Sequence, residues 1–199
     1  MQKRYIDEQT LILDAFKLGV RIFEDGFRPS FIVGLWRGGS TVGIYVQECL
    51  QTLGVETDHI ALRTSYRGLP HYHDMLAAHE TELRVHGTQY LLESLNADDQ
   101  LLLVDDVFSS GRNLEAVLNK LRGNLKRNMP GQVRIATIWQ RPSYRRVDFG
   151  PDYSLYETED WLVLPYEMCG LTLAEIREHK PFLLPYLDAA GGKDTPSQS

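Results

Sequence analysis

The stretch Leu101-Leu102-Leu103-Val104-Asp105-Asp106-Val107-Phe108-Ser109-Ser110-Gly111-Arg112-Asn113 limits the possible folds more than any other part of the chain. Its four consecutive aliphatic residues are too few for a buried helix and suit a central strand covered on both faces. Two carboxylates follow, then a turn of small residues, then Leu114, Val117, Leu118, Leu121 and Leu125 at the spacing of one helix face. A buried strand that feeds a turn and a helix is part of a βαβ unit, so the sheet it joins is parallel and carries helices on its faces.

The same rhythm recurs along the chain. Leu11, Ile12, Ala15, Phe16 and Phe23 predict an N-terminal amphipathic helix, and Phe31-Ile32-Val33-Gly34-Leu35 predicts a strand broken by Arg37-Gly38-Gly39-Ser40. Val42, Tyr45, Val46, Cys49, Leu50 and Leu53 mark the next helix and place the Cys49 thiol on its apolar side. His59–Leu62 and Val133–Trp139 read as further strands. The fold expected is α/β, a mainly parallel central sheet flanked by helices.

Two regions depart from this rhythm. Residues 65–99 are largely polar, with helical fragments and no strong strand, and are expected to form a flexible flap. Residues 140–167 mix aromatics, prolines and charges and are expected to form a small hood lobe. Thr172-x-x-Glu175 is a capping box for a last helix. Residues 1–190 are thus expected to make a single domain, followed by a disordered polar tail at 191–199.

Charge and composition exclude some functions. A net charge of −6 over 199 residues speaks against a nucleic-acid surface, which needs clustered Lys and Arg. Met1–Tyr5 lacks the apolar run of a secretion signal, and no stretch is apolar enough to span a bilayer, so a cytoplasmic protein without membrane partners is expected. Cys49 and Cys169 have neither metal nor redox spacing. His71, His73 and His79 with Asp74 suggest zinc, but they lie in the polar flap and form no evident closed tetrahedral set.

The chemistry concentrates after Val104. Backbone N–H groups of the turn and the helix start can cradle an anion, with Ser109, Ser110 and Asn113 adding side-chain donors and Gly111 allowing close approach. Asp105 and Asp106 are wrong partners for a phosphate and suit sugar hydroxyls, a developing positive charge or Mg²⁺. The bland alternative is a pair of acids that merely complements a helix dipole. The Gly-Lys-Ser/Thr ending of a P-loop is missing, and one glycine does not make a dinucleotide fingerprint.

Val104-Asp105-Asp106-Val107 with Ser110-Gly111-Arg112-Asn113 resembles the phosphoribosyl-pyrophosphate motif of type I phosphoribosyltransferases. Three further segments follow the order of the hypoxanthine and xanthine-guanine branch. Val33-Gly34-Leu35-Trp36-Arg37-Gly38-Gly39 is similar to its pyrophosphate loop, Thr64-Ser65-Tyr66 to the start of its flexible catalytic loop, and Arg141-Pro142 through Asp160-Trp161-Leu162 to Glu167 to its hood.

The resemblance implies transfer of a phosphoribosyl group from phosphoribosyl pyrophosphate to a nucleobase, an oxopurine preferred, by a homodimer or homotetramer. It implies a cis peptide at Trp36–Arg37. Arg37 and Gly38 would hold the pyrophosphate, with Ser65 and Tyr66 on the closing flap. Residues Val107, Phe108, Ser109, Ser110, Gly111, Arg112 and Asn113 would hold the 5′-phosphate. Asp105 and Asp106 would act at the ribose and, with Glu167, would hold Mg²⁺. Trp161 would stack on the base, Leu162 would read its edge through the backbone, and Arg141 would donate to its oxygen.

Two positions depart from that branch. Ser109 stands where an aspartate usually serves as general base, and Arg141 replaces a lysine. A non-catalytic sensor of nucleotide or phosphoribosyl pyrophosphate is the competing expectation.

Overall fold

A computed structural model describes residues 3–66 and 83–189. In chain order the elements are β1 (Lys3–Tyr5), α1 (Glu8–Glu24), β2 (Phe31–Trp36), α2 (Gly38–Thr52), β3 (Asp58–Tyr66), β4 (Leu83–His86), α3 (Gln89–Ser94), β5 (Gln100–Phe108), α4 (Arg112–Leu125), β6 (Gln132–Gln140), β7 (Tyr153–Glu157), β8 (Trp161–Val163), α5 (Leu173–His179) and α6 (Leu184–Ala189). The chain divides into two compact units, one of residues Gln9–Glu159 and one of residues Met1–Glu8 with Asp160–Ser199.

The larger unit holds the expected sheet. Among the described residues its order is β4-β3-β2-β5-β6-β7, parallel throughout except for the antiparallel β3–β4 pair. Alternation along the strands sorts the core into two faces. Val33, Leu35, Leu101, Leu103 and Ile135 pack with Leu114, Val117, Leu118, Leu121 and Leu125 of α4. Ile32, Leu102 and Val104 are equally buried but alternate with that set, so they face the opposite layer. There α1 and α2 approach closely: a Cβ on Gly19 would lie 2.8 Å from Cys49 Cβ. Burial pushes the Cys49 thiol pKa up, as suits a packed thiol.

The polar region at 65–99 differs from its sequence reading. It contains a real strand, β4, where no strong strand was expected, and Leu91 of α3 and Leu95 just after it enter the core on the α4 side. Leu83-Arg84-Val85-His86 alternates polar and apolar over only four residues, too short to stand out in sequence. The histidines 71, 73 and 79, Asp74 and the tail at 191–199 lie outside the described residues.

The region expected as a hood, 140–167, is divided between the units. Tyr153–Glu157 extends the main sheet as its edge strand beside β6. Trp161–Val163 instead pairs in parallel with Lys3–Tyr5 in the smaller unit. That unit also contains α5, whose start carries the expected box: Thr172 Oγ1 accepts from Glu175 N–H at 3.2 Å, and Glu175 Oε2 accepts from Thr172 N–H at 2.8 Å.

Candidate active site

Strands β2 and β5 are neighbours whose connections leave in opposite directions. One runs through α2 to β3 and the other through α4 to β6. Loops at the carboxyl ends of such a pair diverge and open a crevice, the place where α/β sheets bind ligands. The loops at this crevice are Arg37–Gly39 and Ser109–Gly111, both singled out from sequence. Each leads into a helix of more than three turns, α2 and α4, so two helix N-termini bring their positive ends to the same edge.

The first loop fits the acid pair closely. The Trp36–Arg37 peptide is cis, as the resemblance implied. Gly38 and Gly39 are buried, whereas Trp36 and Arg37 are exposed. A Cβ on Gly39 would lie 2.3 Å from the Val104 carbonyl oxygen, 2.8 Å from Asp105 Cα and 3.1 Å from Asp105 Oδ1. Only glycine lets this loop rest on the end of β5. Behind it, a Cβ on Gly34 would lie 2.7 Å from Ser40 Cα, so the strand approaches its own following helix equally tightly.

The two acids sit inside β5, which runs on to Phe108 and pairs Asp105 with Thr137. Asp106 N–H donates to Asp105 Oδ1 at 3.0 Å, and Val107 N–H donates to Asp106 Oδ1 at 2.8 Å. The Asp105 carboxyl is held well above the usual carboxylate range, first by burial and then by the charge of Asp106. Two adjacent carboxylates at the carboxyl end of a buried strand suit a cation or hydroxyl donors.

That shift has a consequence for stability. A carboxyl whose folded pKa lies above its unfolded value leaves stability intact below the unfolded value, near 4, and loses it as pH rises through the folded value. Asp105→Asn removes the charge and keeps an oxygen for the Asp106 N–H. The variant is expected to be more stable than the wild type at pH 7.5 by about 1–2 kcal/mol. The gap should close near pH 4. Thermal unfolding at the two pH values checks this, and equal midpoints at pH 7.5 contradict it.

The second loop has a shape that could cradle an anion. Gly111 has a φ of +77° and precedes α4, and a Cβ there would lie 2.4 Å from Val147 Cγ2. Arg112 N–H reaches Ser110 Oγ at a long 3.4 Å. Asn113 Oδ1 is buried without a hydrogen-bond partner. An amide turned end for end presents an NH₂ at that spot, which is what an anion needs.

Residues 141–149 back this cradle, a role sequence reading assigned to none of them. Arg141 N–H donates to the Phe108 carbonyl at 2.8 Å and Arg146 N–H to the Ser110 carbonyl at 3.0 Å. Phe149 meets Phe108 edge to face at 6.1 Å. The Arg141 guanidinium is buried, lies 3.8 Å over the Tyr144 ring and donates to the Glu159 carbonyl at 3.1 Å.

Ser65 lies near the end of β3, its Oγ 2.9 Å from Nε2 of His86 on the paired strand. His86 was not singled out from sequence, because only the β3–β4 pairing brings it to Ser65. Tyr66 ends β3 opposite Leu83. Trp161, Leu162 and Glu167 belong to the smaller unit. Trp161 and Leu162 pair with Lys3 and Arg4, and Glu167 Oε2 accepts from Leu164 N–H at 3.1 Å.

Among the described residues no three or more His, Cys, Asp or Glu side chains group as a metal cage. Two carboxylates alone suit Mg²⁺, which is commonly held by one or two of them while substrate oxygens and waters complete its shell. None of the described helices is long and apolar enough to cross a membrane.

The sequence matches the Phosphoribosyl transferase domain over residues 2–168. It is 22% identical over 187 residues to the hypoxanthine-guanine phosphoribosyltransferase of Streptococcus agalactiae, covering 92% of each chain. Its fold is similar to that of a purine phosphoribosyltransferase from Pyrococcus horikoshii, with a TM-score of 0.63 and 21% identity over 86% of this chain and 97% of that one. It is also similar to a hypothetical protein from Neisseria gonorrhoeae with bound ppGpp, with a TM-score of 0.68 and 18% identity over 93% of this chain and 97% of that one. With the domain match extending over most of its length, the chain belongs to the phosphoribosyl transferase domain family.

Proposed function

We propose that this protein transfers the 5-phosphoribosyl group from phosphoribosyl pyrophosphate to a purine base, with an oxopurine preferred, and releases pyrophosphate. The observation that supports the reading is the contact of Gly39 with Val104 and Asp105, which sets the Arg37–Gly39 loop directly against an acid pair at the switch point of the sheet. A substrate with a phosphate at one end, a diphosphate at the other and a ribose between them matches that order of groups.

In this reading the turn Val107–Asn113 binds the 5′-phosphate, with donors from its backbone and from Ser109, Ser110 and Asn113. Arg37 and the Gly38 N–H bind the pyrophosphate. Breaking the C1′–oxygen bond places positive charge on the ribose, and Asp105 and Asp106 offset it. Mg²⁺ held by the two aspartates would add charge stabilisation at the leaving pyrophosphate. Glu167 enters that ligand set through the resemblance alone. Ser65 and Tyr66 would help to exclude water from the reacting sugar, as the resemblance implies. Trp161 stacks on the base, Leu162 reads its edge, and Arg141 donates to its oxygen. The working form is a homodimer or homotetramer in the cytoplasm.

The new bond joins C1′ to a base nitrogen, which must lose its proton. Ser109 is half-buried in the cradle turn and cannot take that proton near neutral pH. Turnover is therefore expected to be slow, and the donors of Arg141 with the flat surface of Trp161 should make it selective for hypoxanthine, guanine or xanthine. Ser109→Asp supplies a base and should raise the rate with hypoxanthine or guanine by about a hundredfold. Steady-state kinetics with the variant check this. Selectivity of the wild type for adenine or a pyrimidine contradicts the assignment of Arg141.

The second reading is a sensor that binds a nucleotide without turnover. The Neisseria gonorrhoeae protein with bound ppGpp favours it, together with the absence of an acid at Ser109. Release of pyrophosphate separates the two readings.

A further inference from the structure

We infer that Lys180 is a positioning residue for the base, acting through the turn Leu164–Glu167. The inference rests on the proposed reading that Trp161 and Leu162 contact the base. Lys180 closes helix α5 and is only 5% exposed. Its ammonium donates to three backbone carbonyls of one turn: Leu164 at 2.9 Å, Pro165 at 2.7 Å and Glu167 at 2.7 Å. An ammonium has three protons and no acceptor, so every donor it owns is committed to this turn.

The turn continues directly from β8, the strand of Trp161 and Leu162. Its own bonds close it only in part: Glu167 N–H donates to the Leu164 carbonyl at 2.9 Å, and Leu164 N–H donates to Glu167 Oε2 at 3.1 Å. Three carbonyl oxygens that converge on one point repel each other, and the ammonium offsets that repulsion. Lys180 therefore fixes the path the backbone takes immediately after Leu162.

The anchor is itself held. Glu175 of the same helix accepts from Lys3 Nζ at 2.6 Å and from the Tyr5 hydroxyl at 3.0 Å, and β1 in turn pairs with β8. Strand, turn, helix and first strand form a closed frame with Lys180 across its middle. Burying an ammonium is costly, and burial lowers this one's pKa against the opposing pull of Glu167. A turn that needed only apolar packing would not require it.

The test uses calorimetric binding of GMP, which carries a base, and of phosphoribosyl pyrophosphate, which does not. Lys180→Met should weaken GMP by about tenfold, the loss of a buried polar anchor, and leave phosphoribosyl pyrophosphate within about twofold. Lys180→Arg keeps the charge but replaces the tripod by a planar fork, so its GMP loss should be smaller, about threefold. Unchanged GMP affinity in every folded variant, or equal loss of both ligands, overturns the inference. Trp161→Ala separates the two ways of failing. If it weakens GMP while the Lys180 variants do not, only the role of Lys180 falls. If it too binds GMP like the wild type, the base platform is misassigned and both readings fall.

Discussion

Replacing Asp106 by Asn should lower the rate of pyrophosphate release by at least about a thousandfold while the protein stays folded. The structure explains why the fold should survive this change. The Asp106 carboxylate accepts Val107 N–H at 2.8 Å, and the oxygen of an asparagine amide can accept the same bond. What the amide cannot supply is negative charge, to offset the charge developing on the ribose or to hold Mg²⁺. Initial rates and thermal unfolding on the same preparation check both halves of the expectation. A rate within about tenfold of the wild type would show that the charge of Asp106 is not used.

Replacing Gly39 by Ala should lower activity too, through geometry alone. The added carbon would lie 2.3 Å from a backbone carbonyl and 2.8 Å from a backbone Cα, neither of which is the end of a flexible side chain. Either the loop carrying Arg37 lifts or the end of β5 moves, and each separates the proposed pyrophosphate loop from the acid pair. A displacement near 1 Å between groups that must act together costs about a hundredfold in kcat/KM. Overpacking of this kind also destabilises by about 1–3 kcal/mol. Steady-state kinetics with urea denaturation measure both, and unchanged kcat/KM would mean that the two loops do not act on one substrate.

These expectations show which parts of the molecule were legible in the amino-acid order. The β5–turn–α4 segment was readable because every signal in it is local: an aliphatic run, a turn of small residues, then a leucine stripe. Gly111 was read as a glycine that lets the backbone approach a phosphate, and the close neighbour the structure gives it is Val147, far along the chain. Gly39 was read as part of an anion loop, but its fit against Asp105 arises from the pairing of β2 with β5, which no local pattern encodes. The cis peptide came from the resemblance and not from composition or spacing.

The elements that sequence reading missed are short or lie at edges. Lys3-Arg4-Tyr5 is a three-residue strand with two charges, and only its pairing with Trp161–Val163 makes it one. Tyr153–Glu157 was absorbed into the expected hood because a five-residue edge strand flanked by prolines and charges has little periodicity. Lys180 reads in sequence as an ordinary basic residue at a helix end, and its burial appears only when the turn at 164–167 folds onto it. Leu91 and Leu95 went unnoticed in a polar stretch, yet both are core residues.

The most direct test of the whole account is a pyrophosphate-release assay on the intact protein with phosphoribosyl pyrophosphate, Mg²⁺ and a panel of purine and pyrimidine bases. The account predicts base-dependent release that is slow, favours hypoxanthine, guanine or xanthine, and disappears in Asp106→Asn. Binding of phosphoribosyl pyrophosphate with no release from any base would contradict it.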